Sequence, residues 1–332
     1  MKVMITTDPF CKINKEPNDK LQSCKKITEL HYNLTGKKYT KDELHKQLIL
    51  IKPDIIIAGT ENYDITELDL VPNLKMISRV GIGIDSINLK ECKKRRIVVT
   101  NTPNAPSNAV AELTILQMLN MLRKVQNISE QMMHSERWNR YIGRELKSCT
   151  VGIIGYGRIG SIVCNLLKPF GCKIIINDID SNKINKMNID LYNIDHYMNF
   201  SSSSNVEFLY KECDVISIHI PLKDEKINNN NFIRTKDLNI MKPNVRLLNL
   251  SRGGIINEED LYNWLISHPK VTVALDSYLS EPYYGKLIKL RNVYLTPHLG
   301  SCTIQSRIDM ELGAVNEVLN FIENKPFQNK VV

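Results

Sequence analysis

The stretch VGIIGYGRIGSIVCNLLKPFGCKIIINDID, residues 151–180, decides the fold around which the rest of the chain is built. It opens with a short apolar run that is typical of a buried strand. The run then breaks into three glycines spaced as G-x-G-x-x-G, namely Gly155, Gly157 and Gly160. Apolar residues recur at helical spacing as far as Gly171, and a second apolar run leads to Asp178. This order predicts a βαβ unit of a parallel sheet.

Each part of this unit has a use in binding a dinucleotide. The first glycine permits a tight turn, the second lets a pyrophosphate approach the backbone, and the third lets the helix pack on the strand. The helix N-terminus offers backbone N–H groups to phosphate. Asp178 stands eighteen residues after Gly160, where an acid can bind both ribose hydroxyls and repel a 2′-phosphate. A lone glycine motif is weak evidence, but the whole unit predicts a site for NAD rather than NADP.

Length and composition indicate the class of protein. A chain of 332 residues exceeds one comfortable core, so two domains are expected. The net charge of +8 comes from dispersed Lys and Arg, and the densest run, CKKRR at 92–96, suits a solvated helix end better than a nucleic-acid site. No stretch is long and apolar enough to span a bilayer, and the first residues do not resemble a signal peptide.

The eight cysteines include no C-x-x-C pair, which favours reduced thiols and a cytoplasmic location. No cluster of His, Cys or acidic residues has the spacing of metal ligands.

The first hundred residues alternate between strand and helix patterns, which predicts a parallel sheet covered by helices on both faces. The expected strands lie at 3–6, 54–58, 74–78 and 97–100, and the expected helices at 20–31, 41–51 and 88–95. A hinge is expected at NTPN, residues 101–104, because residues before proline avoid helical backbone angles.

The rest of the chain continues this pattern. A long helix is expected from 105 to about 125; it is apolar almost all round, so it must be buried, either in its own domain or against another subunit, and a dimer is favoured. The polar run SSSS at 201–204 predicts a loop before a helix. Further strands are expected at 215–219, 246–250, 271–275 and 293–295, and a final helix at 303–323 that returns to the first domain.

Three charged residues follow predicted strand ends in loops rich in Gly or Pro, where ligands of open α/β sheets bind. They are Arg252 in NLSRGG, Glu281 in LDSYLSEP and His298 in LTPHLG. A guanidinium can hold a carboxylate in two parallel hydrogen bonds, and an imidazole can move a proton near neutral pH. Glu281 could orient the imidazole and stabilise its protonated form.

The chain resembles the D-isomer-specific 2-hydroxyacid dehydrogenases, and within them the phosphoglycerate-dehydrogenase-like branch. The motifs that carry the resemblance from about residue 53 onward are RVGIGID (79–85), TPNAPSNAVAE (102–112), GYGRIG (155–160), IHIPL (218–222), NLSRGGIIN (249–257), ALDSYLSEP (274–282) and TPHLGSCT (296–303). The resemblance implies two doubly wound parallel-sheet domains, with a Rossmann domain at 104–296 inserted into a flavodoxin-like substrate domain formed by 1–103 and 297–332.

The resemblance also implies roles for individual residues. Arg252, Glu281 and His298 would be catalytic, and Arg79, Val80 and Gly81 would bind the substrate carboxylate. The expected NAD-binding residues are Gly155, Gly157, Arg158, Ile159, Gly160, Asp178, Ile220, Leu250, Ser251, Asp276 and Gly300, with Asp276 at the nicotinamide carboxamide.

The expected function is NAD-dependent hydride transfer on a small 2-hydroxy or 2-oxo acid, in a homodimer that binds neither nucleic acid nor membrane. Phosphoglycerate dehydrogenases of the serine pathway usually carry an arginine for the substrate phosphate in the loop after the strand that matches residues 55–57. This chain has AGTEN there, at 58–62, and Glu61 would repel a phosphate. D-3-phosphoglycerate dehydrogenase nevertheless stays open as the specific activity. An NAD-sensing, corepressor-like interaction protein is the alternative from another functional class.

Overall fold

A computed structural model describes residues 1–135, 138, 140–180, 196–199, 206–223 and 227–332. The predicted polar loop at 201–204 lies outside these residues. The chain divides into two compact units, one formed by Met1–Pro106 and Ser301–Val332 and the other by Ser107–Gly300. These boundaries lie a few residues C-terminal to those expected from the sequence.

The first unit is built on a five-stranded parallel sheet of order β2-β1-β3-β4-β5. This is the flavodoxin-like strand order. Its strands are β1 (Lys2–Ile5), β2 (Glu29–Tyr32), β3 (Ile55–Ala58), β4 (Met76–Arg79) and β5 (Val98–Thr100). Its helices are Glu16–Ser23, Lys41–Ile51, Ile65–Asp69, Leu89–Lys94 and Ile304–Glu323.

Local chemistry explains where these elements begin. The helix Lys41–Ile51 starts with a capping box in which Thr40 and Glu43 bond reciprocally. The helix Ile304–Glu323 is capped by the Thr303 hydroxyl and buries an apolar stripe against the sheet. The strand β3 is buried on both faces, as a central parallel strand must be.

The helix predicted at 20–31 is wrong. The helix there covers Glu16–Ser23, with a proline in its first turn, and Glu29–Tyr32 instead forms the edge strand β2. Leu30 and Tyr32 pair in register with Val3 and Ile5 of β1. A short, polar edge strand is weakly encoded locally, because its neighbour in the sheet supplies most of its stabilisation.

The second unit is a seven-stranded parallel sheet of order β12-β11-β10-β9-β6-β7-β8, which is Rossmann-like. Its strands are β6 (Thr150–Ile154), β7 (Lys173–Asp178), β8 (His196–Asn199), β9 (Val215–Ile218), β10 (Arg246–Asn249), β11 (Thr272–Leu275) and β12 (Val293–Leu295). Its α-helices are Ser107–Arg123, Val125–Ser135, Arg158–Leu167, Val206–Glu212, Thr235–Leu238 and Glu258–Ser267, and 3₁₀ turns cover Leu146–Ser148, Lys168–Phe170 and Lys286–Lys289. The predicted fold class, two doubly wound parallel α/β sheets, is confirmed.

The long helix expected near 105–125 is present as Ser107–Arg123. It ends because Lys124 takes a left-handed φ of 53°, and a second helix begins at Val125. Met118 and Met121 are buried in the unit's core, but Leu116 is 58% exposed. The chain alone therefore buries one face of this helix, not the whole circumference. Among the described residues, no helix has the length and apolarity that crossing a membrane would require.

Candidate active site

The glycine turn after β6 has the geometry that its spacing predicts. Gly155 has a φ of +95°, and a Cβ there would lie 2.6 Å from the carbonyl oxygen of His219. A Cβ on Gly160 would lie 2.0 Å from the carbonyl oxygen of Gly155, so the helix packs too closely for any other residue. A Cβ on Gly157 would have no heavy atom within 4 Å, which leaves space beside the backbone at the start of the helix Arg158–Leu167.

Asp178 ends β7 beside this turn and is buried. Its Oδ2 accepts a hydrogen bond from the backbone N–H of Tyr156 at 2.6 Å, and its Oδ1 accepts one from Asp180 N–H at 2.8 Å. The carboxylate is therefore held in a fixed orientation at the carboxyl end of the strand next to β6, where an adenosine ribose binds in Rossmann folds.

Arg252, Glu281 and His298 follow three neighbouring strands, β10, β11 and β12. Parallel strands end at the same edge of a sheet, so the three loops stand side by side. The loops are also packed against each other, because a Cβ on Gly253 would lie 2.0 Å from the backbone carbon of Tyr278.

His298 and Glu281 form a close pair. The Nδ1 of His298 lies 2.9 Å from Oε2 and 3.0 Å from Oε1 of Glu281. The backbone N–H of Tyr278 also donates to Oε1 of Glu281, at 3.1 Å. Both side chains are partly exposed, with 48% of His298 and 38% of Glu281 accessible. An imidazole that is fixed at one nitrogen by a carboxylate, with solvent access, has the arrangement of a general acid or base.

Arg252 is set in a rigid loop. Its carbonyl oxygen accepts a hydrogen bond from Asn249 Nδ2 at 2.7 Å, and Asn249 Oδ1 accepts two hydrogen bonds from Ser251. The Arg252 guanidinium donates to the Ser251 carbonyl at 2.9 Å through Nη1. The sequence did not single out Asn249, although it closes the strand in the NLSRGG motif.

Asp276 holds the turn that carries His298. It is 1% exposed, and its Oδ1 accepts hydrogen bonds from Thr296 Oγ1 at 2.6 Å and from Leu299 N–H at 2.7 Å. Its Oδ2 accepts from Gly300 N–H at 2.8 Å. His298 itself has a left-handed φ of 53°, a conformation that costs energy and persists where the surroundings enforce it. Both oxygens of Asp276 therefore accept hydrogen bonds from residues that come before and after His298 in the chain. The sequence did not reveal that Asp276 holds this turn in place.

Another histidine near the glycine turn is chemically different. Burial lowers the pKa of His219 to about 4, so this imidazole is neutral near pH 7. Its Nε2 lies 2.9 Å from the hydroxyl of Ser217. A neutral imidazole in this position suits a structural role better than proton transfer.

The comparisons with known proteins agree with this geometry. Residues 115–300 match the family model described as D-isomer specific 2-hydroxyacid dehydrogenase, NAD binding domain. The chain belongs to the D-isomer specific 2-hydroxyacid dehydrogenase family. It is 35% identical to the glyoxylate reductase of Thermococcus litoralis over 273 residues, which is 79% of this chain and 78% of that protein.

Two further relatives cover more of the chain. The hydroxypyruvate reductase of Thermotoga maritima is 32% identical over 307 residues, or 89% of this chain and 94% of that protein. A solved structure from Thermus thermophilus superposes with a TM-score of 0.84 at 27% identity, and the match covers 100% of both chains. The protein is an NAD-dependent dehydrogenase of this family, an oxidoreductase that acts on CH–OH groups.

The residues of the second unit fit the NAD that the family uses. The open space at Gly157 and the N-terminus of the helix Arg158–Leu167 suit the pyrophosphate of NAD. The fixed carboxylate of Asp178 suits its adenosine ribose. Ile220 borders the same turn, since its Cγ2 would lie 2.8 Å from a Cβ on Gly155. The roles of Arg158, Ile159, Leu250, Ser251 and Gly300 toward NAD stay predictions, as does a contact of Asp276 with the carboxamide.

The three residues expected to bind substrate carboxylate lie in the first unit, at and just after the end of β4. Gly81 has a φ of +134°, and the Arg79 guanidinium lies over it, 2.8 Å from where a Cβ would be. The Val80 N–H donates to Ala58 O at 3.0 Å, and the Gly81 N–H donates to Thr102 Oγ1 at 2.8 Å. A carboxylate bound by these two N–H groups would have to share or replace those partners, so their predicted role stays a prediction. Among the described residues, no group of His, Cys, Asp and Glu side chains is arranged to hold a metal ion.

Proposed function

We propose that this dehydrogenase interconverts small, unphosphorylated 2-oxo acids and D-2-hydroxy acids, with Arg252, Glu281 and His298 as its catalytic residues. The observation that carries the proposal is the His298–Glu281 pair, with Nδ1 within 3.0 Å of both carboxylate oxygens. With Nδ1 turned to Glu281, Nε2 is the nitrogen that exchanges a proton with the substrate oxygen. Glu281 orients the ring through its contacts with Nδ1.

Arg252 acts on the other end of the substrate. Its guanidinium holds the carboxylate in two charge-assisted hydrogen bonds and polarises the neighbouring 2-oxo group. The loop around Asn249 fixes the Arg252 backbone, so the side chain starts from a defined position. The bound nicotinamide supplies or accepts the hydride. The residues of this chain contribute binding, orientation and the proton.

Glyoxylate and hydroxypyruvate are the preferred substrates in this proposal. Two relatives that match most of the chain are named glyoxylate reductase and hydroxypyruvate reductase. The loop after β3, residues 59–63, carries the acid Glu61 and has no cationic side chain. A phosphorylated substrate would meet a negative charge there, which disfavours 3-phosphohydroxypyruvate.

The test is turnover of the purified protein with NADH and a panel of glyoxylate, hydroxypyruvate, pyruvate and 3-phosphohydroxypyruvate, followed by the loss of NADH absorbance. We expect glyoxylate or hydroxypyruvate to give the highest kcat/KM. If 3-phosphohydroxypyruvate is the best substrate, the phosphoglycerate dehydrogenase alternative is correct. If NADH binds tightly and no acid is reduced, the protein is an NAD-sensing binder.

We also propose roles for the two units and a state for the whole protein. The unit Ser107–Gly300 would bind NAD, since the family's NAD-binding model matches 115–300, and the unit Met1–Pro106 with Ser301–Val332 would bind the acid. Exposed apolar side chains on the helices Ser107–Arg123 and Val125–Ser135 support a homodimer. No disulfide joins any of the eight cysteines, all of which lie within the described residues, and this supports a cytoplasmic location.

A further inference from the structure

Glu61 is a buried carboxylate at the end of β3. The residue is 2% exposed, and its Oε2 accepts a hydrogen bond from the Thr6 hydroxyl at 2.9 Å. The Thr6 oxygen also lies 2.9 Å from the hydroxyl of Tyr63 and 3.3 Å from the N–H of Gly59. A consistent arrangement has Tyr63 donating to Thr6 and Thr6 donating to Glu61. Only the Oε2 side of the carboxylate is satisfied by this arrangement.

Glu61 forms no ion pair with the described residues, and its Oε1 accepts no hydrogen bond from them. The three other buried glutamates of this unit have more partners. Glu67 pairs with His45 at 2.6 Å, Glu311 pairs with Arg307 at 2.8 Å, and Glu317 accepts hydrogen bonds from the backbone N–H groups of Gln328 and Asn329. A buried carboxylate that has neither a cation nor a hydrogen bond to one of its oxygens is costly, so its presence calls for a functional reason.

Glu61 also lies where a ligand of this sheet would bind. It follows β3 at the carboxyl edge, which is the ligand-binding edge of open parallel sheets. Its Oε2 lies 2.8 Å from where a Cβ on Gly59 would be, so the carboxylate packs directly on the Gly59 backbone. The preceding carbonyl, Ala58 O, accepts from Val80 N–H at 3.0 Å. Glu61 is therefore next to the segment Arg79–Gly81, where the substrate carboxylate is expected.

We propose that Glu61 determines specificity for the group on the third carbon of the substrate. The unsatisfied side of its carboxylate accepts a hydrogen bond from a hydroxyl there, which selects 3-hydroxy-2-oxo acids such as hydroxypyruvate. This inference rests on the proposed function, since it names the substrate class of the same site.

The chemistry gives a specific order of substrates. A carboxylate only accepts hydrogen bonds, so it matches a hydroxyl, is left without a partner by a methyl, and repels a phosphate or a second carboxylate. A site built to bond a hydroxyl discriminates strongly against an analogue that lacks it, because the buried polar group then stays unpaired. We therefore expect kcat/KM for hydroxypyruvate to exceed that for pyruvate by at least about tenfold, and that for 3-phosphohydroxypyruvate by more.

The experiment compares the wild-type protein with Glu61→Gln in steady-state reduction of hydroxypyruvate, pyruvate, glyoxylate and 3-phosphohydroxypyruvate. The substitution keeps the shape of the side chain and removes its charge. We expect the ratio of kcat/KM for 3-phosphohydroxypyruvate to that for hydroxypyruvate to rise at least about tenfold. The matched control is Glu67→Gln, a buried and ion-paired glutamate of the same unit, for which all substrate ratios should stay within about twofold.

Two results would overturn the inference. One is a wild-type protein that reduces pyruvate as well as hydroxypyruvate, which needs no variant and so does not depend on whether Glu61→Gln folds. The other is an unchanged substrate ratio in a folded Glu61→Gln protein that still reduces glyoxylate. In both cases the proposed function stands. A wild-type protein that binds NADH and reduces none of the four acids would instead overturn the proposed function itself.

Discussion

At the scale of single residues, the sequence predicted the contact between Glu281 and His298 but not the hydrogen-bond partners of the buried carboxylates. Glu281 and His298 are far apart in the chain and meet within 3.0 Å, as the family motifs implied. The contact of Asp276 with the nicotinamide carboxamide stays a prediction, and the sequence did not reveal its three hydrogen bonds to the turn around His298. A motif reports which residue types occur together. It does not report which N–H groups a buried carboxylate will satisfy, because that depends on backbone geometry in neighbouring loops.

Asp178 gives the sharpest prediction at this scale. Its carboxylate should repel the 2′-phosphate of NADPH, so Asp178→Asn should narrow the ratio of the NADPH and NADH dissociation constants by about tenfold or more. The asparagine keeps an acceptor for Tyr156 N–H, whereas Asp178→Ala removes both the charge and the acceptor. Fluorescence titration of the two cofactors measures the ratio. An Asp178→Asn protein with unchanged discrimination would mean that another group recognises the ribose.

At the scale of secondary structure, all the central strands of the second sheet that follow β7 were predicted, whereas two of the four edge strands were missed. The central strands β9, β10 and β11 lie where apolar runs had placed them, because central parallel strands are apolar on both faces. The edge strand β12 also lies where its short apolar run had placed it. The edge strand β2 was mistaken for part of a helix, since its four residues are stabilised by pairing with β1. The strand β8 is also an edge strand and was not anticipated.

The turn after β6 allows two glycines to be tested against each other. Gly160→Ala should destabilise the fold by about 1 to 3 kcal/mol or more, because its Cβ would lie 2.0 Å from Gly155 O. Gly157→Ala should leave the unfolding midpoint nearly unchanged, since its Cβ meets no atom within 4 Å, and should weaken NADH binding because that space would receive the pyrophosphate. Thermal unfolding and NADH titration separate the two effects. Equal losses of stability in the two variants would contradict this description of the turn.

At the scale of the whole molecule, two parallel sheets were predictable from the alternation of strand and helix patterns, but the surroundings of the helix Ser107–Arg123 were not. Its sequence predicts that the helix is buried on all sides, but Leu116 is exposed in the single chain. The next helix, Val125–Ser135, also exposes Val125, Met132 and Met133. An apolar surface that continues over two helices is what a partner subunit would cover.

The homodimer is tested by introducing charge into that surface. Leu116→Glu combined with Met133→Glu should shift the mass measured by light scattering from two chains to one, because two carboxylates would have to be desolvated in the interface. Leu50→Glu is the matched control: Leu50 is 77% exposed but belongs to the other unit, and its substitution should leave the dimer intact. A wild-type protein that is monomeric at micromolar concentration would rule out the proposal.

The central claim is that His298, held by Glu281, moves the proton in an NADH-dependent reduction. The most direct measurement is kcat with glyoxylate or hydroxypyruvate together with the Kd of NADH, for the wild-type protein and for His298→Asn. We predict that kcat falls by at least about a hundredfold while the Kd of NADH changes by less than about threefold. A His298→Asn protein that keeps wild-type kcat, or that loses NADH binding as severely as turnover, would contradict the claim.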